Sequence, residues 1–227
     1  MKFISGVMFA ALLAAPLFAE NESKELTQRL ANATEDLQAM MNASDKSIPQ
    51  DLLNKASCIV VIPNLKKGGF IVGGEYGAGF FTCRKPNGVG WSAPGNIKMT
   101  GGKFGLLIGG AETDVVMLVM NKTGMEHLLS DKFTLGGEAS AAAGPVGRNA
   151  SAMTDAEMHA EILTYSRQRG LFGGLDLAGA AVTQDTDANK QMYGRDISNK
   201  EIVTGNVRTP AIARDFVHTL DRLSSRK

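Results

Sequence analysis

Apolar positions in this chain form short continuous runs separated by glycine and turn residues. Residues 58–62, 76–83 and 113–120 have the length and β-branched or aromatic content of strands, and the last is predicted to be buried on both faces. Pro63-Asn64 is predicted to end the first run, and residues 66–69, Lys-Lys-Gly-Gly, to form a cationic turn. Residues 58–83 therefore predict a compact β-meander with one cysteine at each end, in which Gly73-Gly74 interrupts the strand that begins at Phe70. Further strands are predicted at residues 89–93, 104–108 and 171–182, and Gly101-Gly102 is predicted to be a hairpin turn.

Helical periodicity is strongest near the two ends of the chain. Between residues 22 and 44, apolar side chains recur at three- and four-residue steps, at Leu26, Leu30, Ala33, Leu37, Met40 and Met41. The polar face of this helix is predicted to carry Glu22, Glu25, Glu35 and Asp36 against Lys24 and Arg29. Because membrane-surface helices are usually basic, we expect the apolar stripe to pack on the sheet. A final helix is predicted to place four apolar side chains on one face, at Ile212, Phe216, Leu220 and Leu223. Shorter helices are predicted to run from an Asn121 cap to Asp131, and over residues 185–193 with their end at Gly194.

A pair of glycines followed by a carboxylate recurs four times after an apolar run. The four copies end at Glu75, Glu112, Glu138 and Asp176. Their irregular spacing excludes a solenoid repeat, and we interpret the glycine pairs as bends that leave room for neighbouring side chains. The predicted fold class is α+β, with a curved, mostly antiparallel glycine-rich β-sheet or partial barrel, an N-terminal amphipathic helix and C-terminal helices.

Residues 1–19 have the charge and apolar pattern of a secretory signal peptide, with a predicted cut after Ala19. A membrane anchor is the alternative, but the run is short and lacks a basic stop-transfer flank. The chain is therefore predicted to be exported, periplasmic or secreted, and to be peripheral at any membrane that it contacts. Residues 20–227 are predicted to form one domain, with an N-terminal helix in 20–50, a core in 51–204 and a C-terminal helix in 205–227.

Loss of Lys2 with the signal would leave 23 basic and 23 acidic residues. A neutral protein is a poor candidate for nucleic-acid binding or for bulk attraction to an anionic membrane.

Export also permits a disulfide between the two cysteines of the chain. Cys58 and Cys83 lie at the outer ends of predicted strands in a segment that folds back on itself, which favours a bridge over two buried thiols.

The motifs that would support catalysis or a cofactor are incomplete. Gly74, Gly77 and Gly79 do not match the dinucleotide-binding spacing, and residues 95–103 imitate a phosphate-binding loop with the wrong interval. Glu157, His159 and Glu161 alternate, which favours an exposed polar face over a weak metal site, and no nucleophile elbow is present. We predict a non-enzyme without a metal or cofactor.

Several segments together resemble a known domain family. They are residues 62–81 (IPNLKKGGFIVGGEYGAGFF), 90–95 (GWSAPG), 104–121, 131–148 and 166–182. Over about residues 50–200 the chain resembles the SYLF (Ysc84-type) lipid-binding domain, in its bacterial exported branch. The resemblance implies phosphoinositide-like binding, and for a bacterial envelope we expect phosphatidylglycerol, cardiolipin or another anionic amphiphile. Actin binding, which the eukaryotic branch implies, is not expected of an exported bacterial protein.

Basic residues beside glycine turns are the candidate headgroup contacts, since phosphates are held by Arg or Lys side chains and by backbone N–H groups. Lys66 and Lys67 are the first choice, followed by Arg167 and Arg169. The other candidates are Arg84, Lys85, Lys190 and Arg195. The alternative is that these charges are merely solvated, and that the chain is a structural or partner-binding cell-envelope protein with no lipid ligand.

Overall fold

Helices lie at both ends of the chain and between some of the strands. The computed structural model describes residues 15–43, 47–69, 72–104, 109–147, 159–168, 171–174 and 177–224. The helices in these residues are α1 (Ala15–Asn42), α2 (Gln50–Lys55), α3 (Lys122–Leu128), α4 (Thr186–Tyr193), α5 (Asn199–Thr204) and α6 (Arg214–Leu223). A short 3-10 turn, Ala211–Ala213, leads into α6.

The strands form one curled sheet with the shape of a half-barrel. They are β1 (Cys58–Gly69), β2 (Val72–Cys83), β3 (Gly95–Phe104), β4 (Gly109–Val119), β5 (Lys132–Thr134), β6 (Ala141–Ala143), β7 (Ile162–Gln168), β8 (Leu171–Gly174) and β9 (Ala181–Gln184). Their order is β5-β9-β3-β2-β1-β4-β7-β6, and β8 also pairs with β7. Among the described pairings between these strands only β6–β7 is parallel. The predicted α+β class with a curved antiparallel sheet is confirmed.

Each face of the sheet carries its own apolar core. On one face, which we call the α1 face, the predicted stripe of α1 packs with Phe216 and Leu220 of α6 against Ile59, Val61 and Phe80. The stripe residues of α1 from Leu26 to Met40 are at most 2% exposed, as predicted. The opposite face packs Val60, Ile62 and Phe81 against side chains that include Leu128 of α3. The prediction for Ile212 was wrong, because this side chain is 40% exposed.

β1 does not end at Pro63-Asn64, so that prediction was wrong. Between Val61 and Lys66, β1 spans one residue more than the paired segment of β2, and its pairing with β4 shifts in the same place. The extra residue is a β-bulge, and Asn64 has a φ of 52°, in the left-handed region that Asn tolerates better than most residues. The predicted cationic turn was wrong as well, because residues 66–69 continue β1 and pair with β2 and β4 on both sides.

Glycine pairs in four neighbouring strands lie side by side. Gly68 pairs with Gly74 of β2 and with Gly110 of β4, and Gly74 pairs with Gly102 of β3. The predicted interruptions at residues 73–74 and 101–102 were therefore wrong, because both glycine pairs lie within strands. An added Cβ at Gly101 would lie 2.6 Å from Oε1 of Glu75, so this glycine leaves room for the Glu75 side chain.

Two further segments differ from the predicted strands. Residues 89–93 contain only an isolated bridge between Arg84 and Trp91 instead of a strand. The predicted strand over 171–182 is divided into β8 and β9. The proposed segments at 70–71 and 105–108 lie outside the described residues.

The predicted disulfide is confirmed. Cys58 and Cys83 are direct partners in the β1–β2 register, and their sulfur atoms are bonded. The bridge joins β1 and β2 at one end of the hairpin, and Arg84 and Lys85 come directly after Cys83 at that end. Lys66 and Lys67 lie toward the other end of the same hairpin, beyond the bulge.

Candidate functional site

Lys66 and Lys67 are adjacent in sequence but point to opposite faces of the sheet. Lys66 is exposed and lies on the α1 face, in a groove between α1 and the β1–β2 hairpin. The Nζ atom of Lys67 lies 3.5 Å from Oε2 of Glu75, a carboxylate that is 6% exposed. Lys67 therefore partly neutralises a buried charge, whereas Lys66 is available to a ligand.

The groove beside Lys66, which we call the α1 groove, has a volume of about 270 Å³. Lys66 pairs directly with Tyr76 in the β1–β2 register, and the Tyr76 side chain is 51% exposed. Arg29 of α1 lines the opposite wall and donates to Glu25 at 2.9 Å. The α1 groove thus presents a lysine and an exposed aromatic ring together, with a second cation facing them.

Arg167 lies beneath α1 and joins the helix to the sheet. Its Nη2 atom donates to Asp36 of α1 at 2.5 Å and to Asp114 of β4 at 3.0 Å. Burial, and next the charge of Asp114, raise the pKa of Asp36 to about 7, against a smaller lowering by Arg167. Asp36 was predicted to lie on the polar face of the helix, which was wrong, because this carboxylate is 5% exposed.

Arg84 is held within the protein at the disulfide end of the hairpin. Its guanidinium lies 3.9 Å from the centre of the Trp91 ring, and Nη1 donates to the backbone oxygen of Ser224 at 2.6 Å. Nη2 donates to the Ser224 hydroxyl at 2.9 Å. The exposed Lys85 lines a separate cleft at the same end. This pair therefore lies far along the hairpin from Lys66.

Lys190 and Arg195, two further predicted headgroup contacts, line neither the α1 groove nor the cleft beside Lys85. Lys190 Nζ lies 3.0 Å from Asp196, and both side chains are largely exposed. Arg195 is exposed in the turn that follows α4. Arg169 lies outside the described residues. The eight predicted contacts thus do not converge on one site, and their role in lipid binding stays a prediction.

Sequence reasoning missed two members of the α1 groove, Tyr76 and Arg29. Period-two alternation along β2 places Tyr76 on the same face as Phe80, so this signal was present in the sequence. The helical spacing of α1 cannot show which strand residues Arg29 will meet, since that depends on how the helix docks.

Within the described residues, no group of three or more His, Cys, Asp or Glu side chains is arranged to bind a metal ion. His127 Nε2 lies 3.9 Å from Oε2 of Glu161, which makes a pair and not a metal site. Among these same residues no helix has the length and apolar character that a membrane span requires.

Comparison with known proteins identifies the family. Residues 100–223 match the Ysc84 family, described as "Las17-binding protein actin regulator". The chain is 33% identical over 209 residues to LAS seventeen-binding protein 3 of Saccharomyces cerevisiae, covering 91% of this chain and 45% of that protein. It is 34% identical over 210 residues to an SH3 domain-containing protein of Schizosaccharomyces pombe, covering 91% and 48%. It is 31% identical over 212 residues to human SH3 domain-containing YSC84-like protein 1, covering 93% and 61%. The chain spans about half the length of the curated relatives it matches, and it belongs to the Ysc84 (SYLF) family.

Proposed function

We propose that this protein is a non-enzymatic module that binds anionic phospholipid headgroups through the α1 groove. The observation that carries the proposal is the pairing of the exposed Lys66 with the half-exposed ring of Tyr76 across neighbouring strands. A lysine supplies a point charge for a phosphate, and tyrosine suits a membrane interface because it has an apolar body and a polar tip. Both requirements of an interfacial headgroup contact are met on one face.

The surroundings of Lys66 support a local interaction in an otherwise neutral protein. Arg29 lines the same groove from α1, where it shares its charge with Glu25. A ligand phosphate that approaches Lys66 would also attract Arg29. The expected binding is therefore sensitive to salt, because surface charges are screened over roughly 10 Å at moderate ionic strength.

We further propose that the chain acts outside the cytoplasm and is peripheral at a membrane. This part rests on the sequence pattern of residues 1–19, which predicts export with a cut after Ala19. Phosphatidylglycerol and cardiolipin are then the expected ligands, because they provide phosphate groups without inositol.

Sedimentation with lipid vesicles tests the proposal. The oxidised protein is mixed with phosphatidylcholine vesicles of graded phosphatidylglycerol content, at low and at moderate salt. Reversing the charge of one lysine at a membrane surface changes the binding free energy by about 2 kcal/mol, so Lys66→Glu is expected to weaken binding roughly 30-fold. Lys132→Glu, an equal reversal at an exposed position of the edge strand β5, is the matched control and should change binding less than about twofold.

Two results would contradict the lipid proposal. One is an absence of binding at every lipid composition, and the other is equal weakening by Lys66→Glu and Lys132→Glu. Tyr76→Ser tests the contribution of the aromatic ring separately from that of the Lys66 charge. Loss of the ring should weaken binding without changing its dependence on salt.

Binding of a protein partner is the second candidate function. It is favoured by the name of one relative, LAS seventeen-binding protein 3, and by the family's description as "Las17-binding protein actin regulator". In this case the basic residues are solvated, vesicles do not retain the protein, and a stable complex with itself or with another envelope protein is expected. Analytical ultracentrifugation of the same sample without lipid distinguishes this candidate from the first.

A further inference from the structure

A second cleft lies at the disulfide end of the β1–β2 hairpin, away from the α1 groove. Its volume is about 570 Å³, which falls within the range of roughly 300–1,000 Å³ that is typical of small-molecule sites. One wall comes from the loop that follows β2, and the other from α5 and residues 204–209. We call it the α5 cleft.

The described lining of the α5 cleft contains two cations and no carboxylate. Lys85 contributes from the loop, and Arg208 contributes from the segment after α5. Both are exposed, and among the described residues neither has a carboxylate within the 4.0 Å of an ion pair. Asp221 of α6 approaches Gly90 from beside Lys85, but it does not line the cleft. The cleft therefore favours an anionic group.

Between the cations, the cleft offers apolar surface. Pro86 and Ala93 line one side, and Ile202, Val203 and Val207 line the other. Ala93 and Ile202 are at most 3% exposed and belong to a small apolar cluster that is separate from the two main cores. A ligand with an apolar part would thus bury it against surface that the protein already holds in place.

The loop wall is held in place by backbone and side-chain hydrogen bonds. Lys85 N–H donates to Gly90 O at 3.2 Å, and Val89 N–H donates to Oδ1 of Asn87 at 3.1 Å. At the floor, the buried Ser92 accepts at Oγ from Cys83 N–H at 3.2 Å, which ties the cleft to the disulfide-bonded strand. Binding would therefore cost little ordering of this wall.

We infer that the α5 cleft is a binding site for a free single-chain amphiphile with an anionic head, either a carboxylate or a phosphate. Lys85 and Arg208 bind the head, and the apolar wall receives the first part of the chain. This inference goes beyond the proposed function, because the ligand is a dissolved molecule and the site lies at the opposite end of the hairpin from Lys66.

Isothermal titration calorimetry with four probes below their micelle concentrations tests the inference. Dodecanoate and dodecyl phosphate share a chain and differ in the head, dodecyl maltoside has the chain without a charge, and inorganic phosphate has the charge without a chain. The two anionic amphiphiles should bind at least tenfold more tightly than either of the other probes. Trp91, the only tryptophan, adjoins the cleft residues Ser92 and Ala93 and gives a local fluorescence readout.

Variants assign the binding to this cleft. The double change Lys85→Gln and Arg208→Gln should weaken both anionic amphiphiles at least tenfold, and Val207→Glu should do the same by placing a negative charge in the wall. Lys122→Gln with Lys132→Gln removes two exposed cations elsewhere and should change affinity less than twofold. The lysine and arginine changes are at exposed positions and Val207 is only half-buried, so circular dichroism of each variant should match that of the wild type.

Several results would overturn the inference. They are equal binding of all four probes, no binding of either anionic amphiphile, and unchanged affinity in the Lys85 and Arg208 variant. If dodecanoate and dodecyl phosphate differ in affinity, the difference identifies the preferred head group, and the location of the site stays the same. Vesicle sedimentation of the same variant keeps this test separate from the proposed function, because loss of cleft binding with intact vesicle binding assigns the two activities to different sites.

Discussion

Asp36 is predicted to make the stability of the fold depend on pH. This buried carboxylate of α1 shares the guanidinium of Arg167 with Asp114, so two negative charges meet one positive charge. Burial and the Asp114 charge raise its pKa to about 7. An unfolded aspartate titrates near pH 4. Between these values the native state holds a proton that the unfolded chain releases, and the free energy of unfolding therefore falls as the pH rises through this window.

Replacement of Asp36 by asparagine removes this dependence. One proton is worth about 1.4 kcal/mol per pH unit, so a change from about pH 5 to about pH 7 costs at most about 3 kcal/mol, and partial relaxation makes about 2 kcal/mol the expected value. Protonation would allow Asp36 to donate a hydrogen bond to Asp114, which contributes to its raised pKa. An asparagine amide can donate in the same way while its oxygen accepts from Arg167. Asp36→Asn should match the wild type near pH 5 and exceed its stability by about 2 kcal/mol near pH 8.

Urea unfolding, followed by the fluorescence of the buried Trp91, measures this difference. Both proteins are kept oxidised, and the comparison cancels the titration of all other groups. Glu35→Gln is the matched control, since Glu35 precedes Asp36 on α1 and is exposed. Parallel pH profiles for Asp36→Asn and the wild type would refute the reasoning. So would a variant that is destabilised near pH 8, because the ionised Asp36 would then be net stabilising.

Two further predictions concern the sheet. Reduction of Cys58–Cys83 opens a loop with a sequence separation of 25 residues, so dithiothreitol should lower the free energy of unfolding by about 3.5 kcal/mol. An unchanged urea midpoint would contradict this. Gly79→Ala should cost about 2–4 kcal/mol, because the new Cβ would lie 2.3 Å from the backbone oxygen of Val61. Gly68→Ala, with nothing within 4 Å of the new Cβ, is the control and should cost clearly less. Equal losses in the two variants would show that close packing does not explain Gly79.

Local signals in the sequence predicted the helices well. The predicted helix at residues 185–193 is α4, where Asp185 Oδ1 accepts from Ala188 N–H and Gly194 ends the helix with a φ of 69°. Asn121 likewise caps α3 by accepting from Gly124 N–H. A cap acts over three or four residues, so its partners are visible in a short window of sequence.

The continuity of the strands was not predictable in the same way. The glycine pairs were interpreted as bends, an interruption or a hairpin turn, and Pro63-Asn64 as the end of a strand, because all are turn residues by local preference. In the structure β1 is a central strand with β2 and β4 on its two sides, and their backbone hydrogen bonds extend past the bulge to Gly69. Such pairing depends on residues far away in the chain, which local preference does not report.

The candidate site also combines residues that local sequence predicts with residues whose positions depend on distant parts of the chain. Asp36 was assigned to the polar face of α1 from helical spacing alone, but its partner Arg167 is 131 residues away. Arg208 of the α5 cleft carried no sequence signal, because it lies in an irregular segment whose neighbours are set by the docking of α5. Cys58 and Cys83 were predictable, because each ends a strand in a segment that folds back on itself.

Asp114 connects these features and explains why Lys66, and not Lys67, faces the α1 groove. Ile59 and Val61 face α1, so strict alternation along β1 would turn residue 67 toward the helix. The single extra residue of the bulge reverses this order. Oδ1 of Asp114 accepts from the N–H of Asn64 within the bulge at 3.1 Å, and Oδ2 accepts from Arg167, which also binds α1 through Asp36. One carboxylate therefore positions both walls of the α1 groove, because it fixes the bulge that orients the lysine and the arginine that holds the helix.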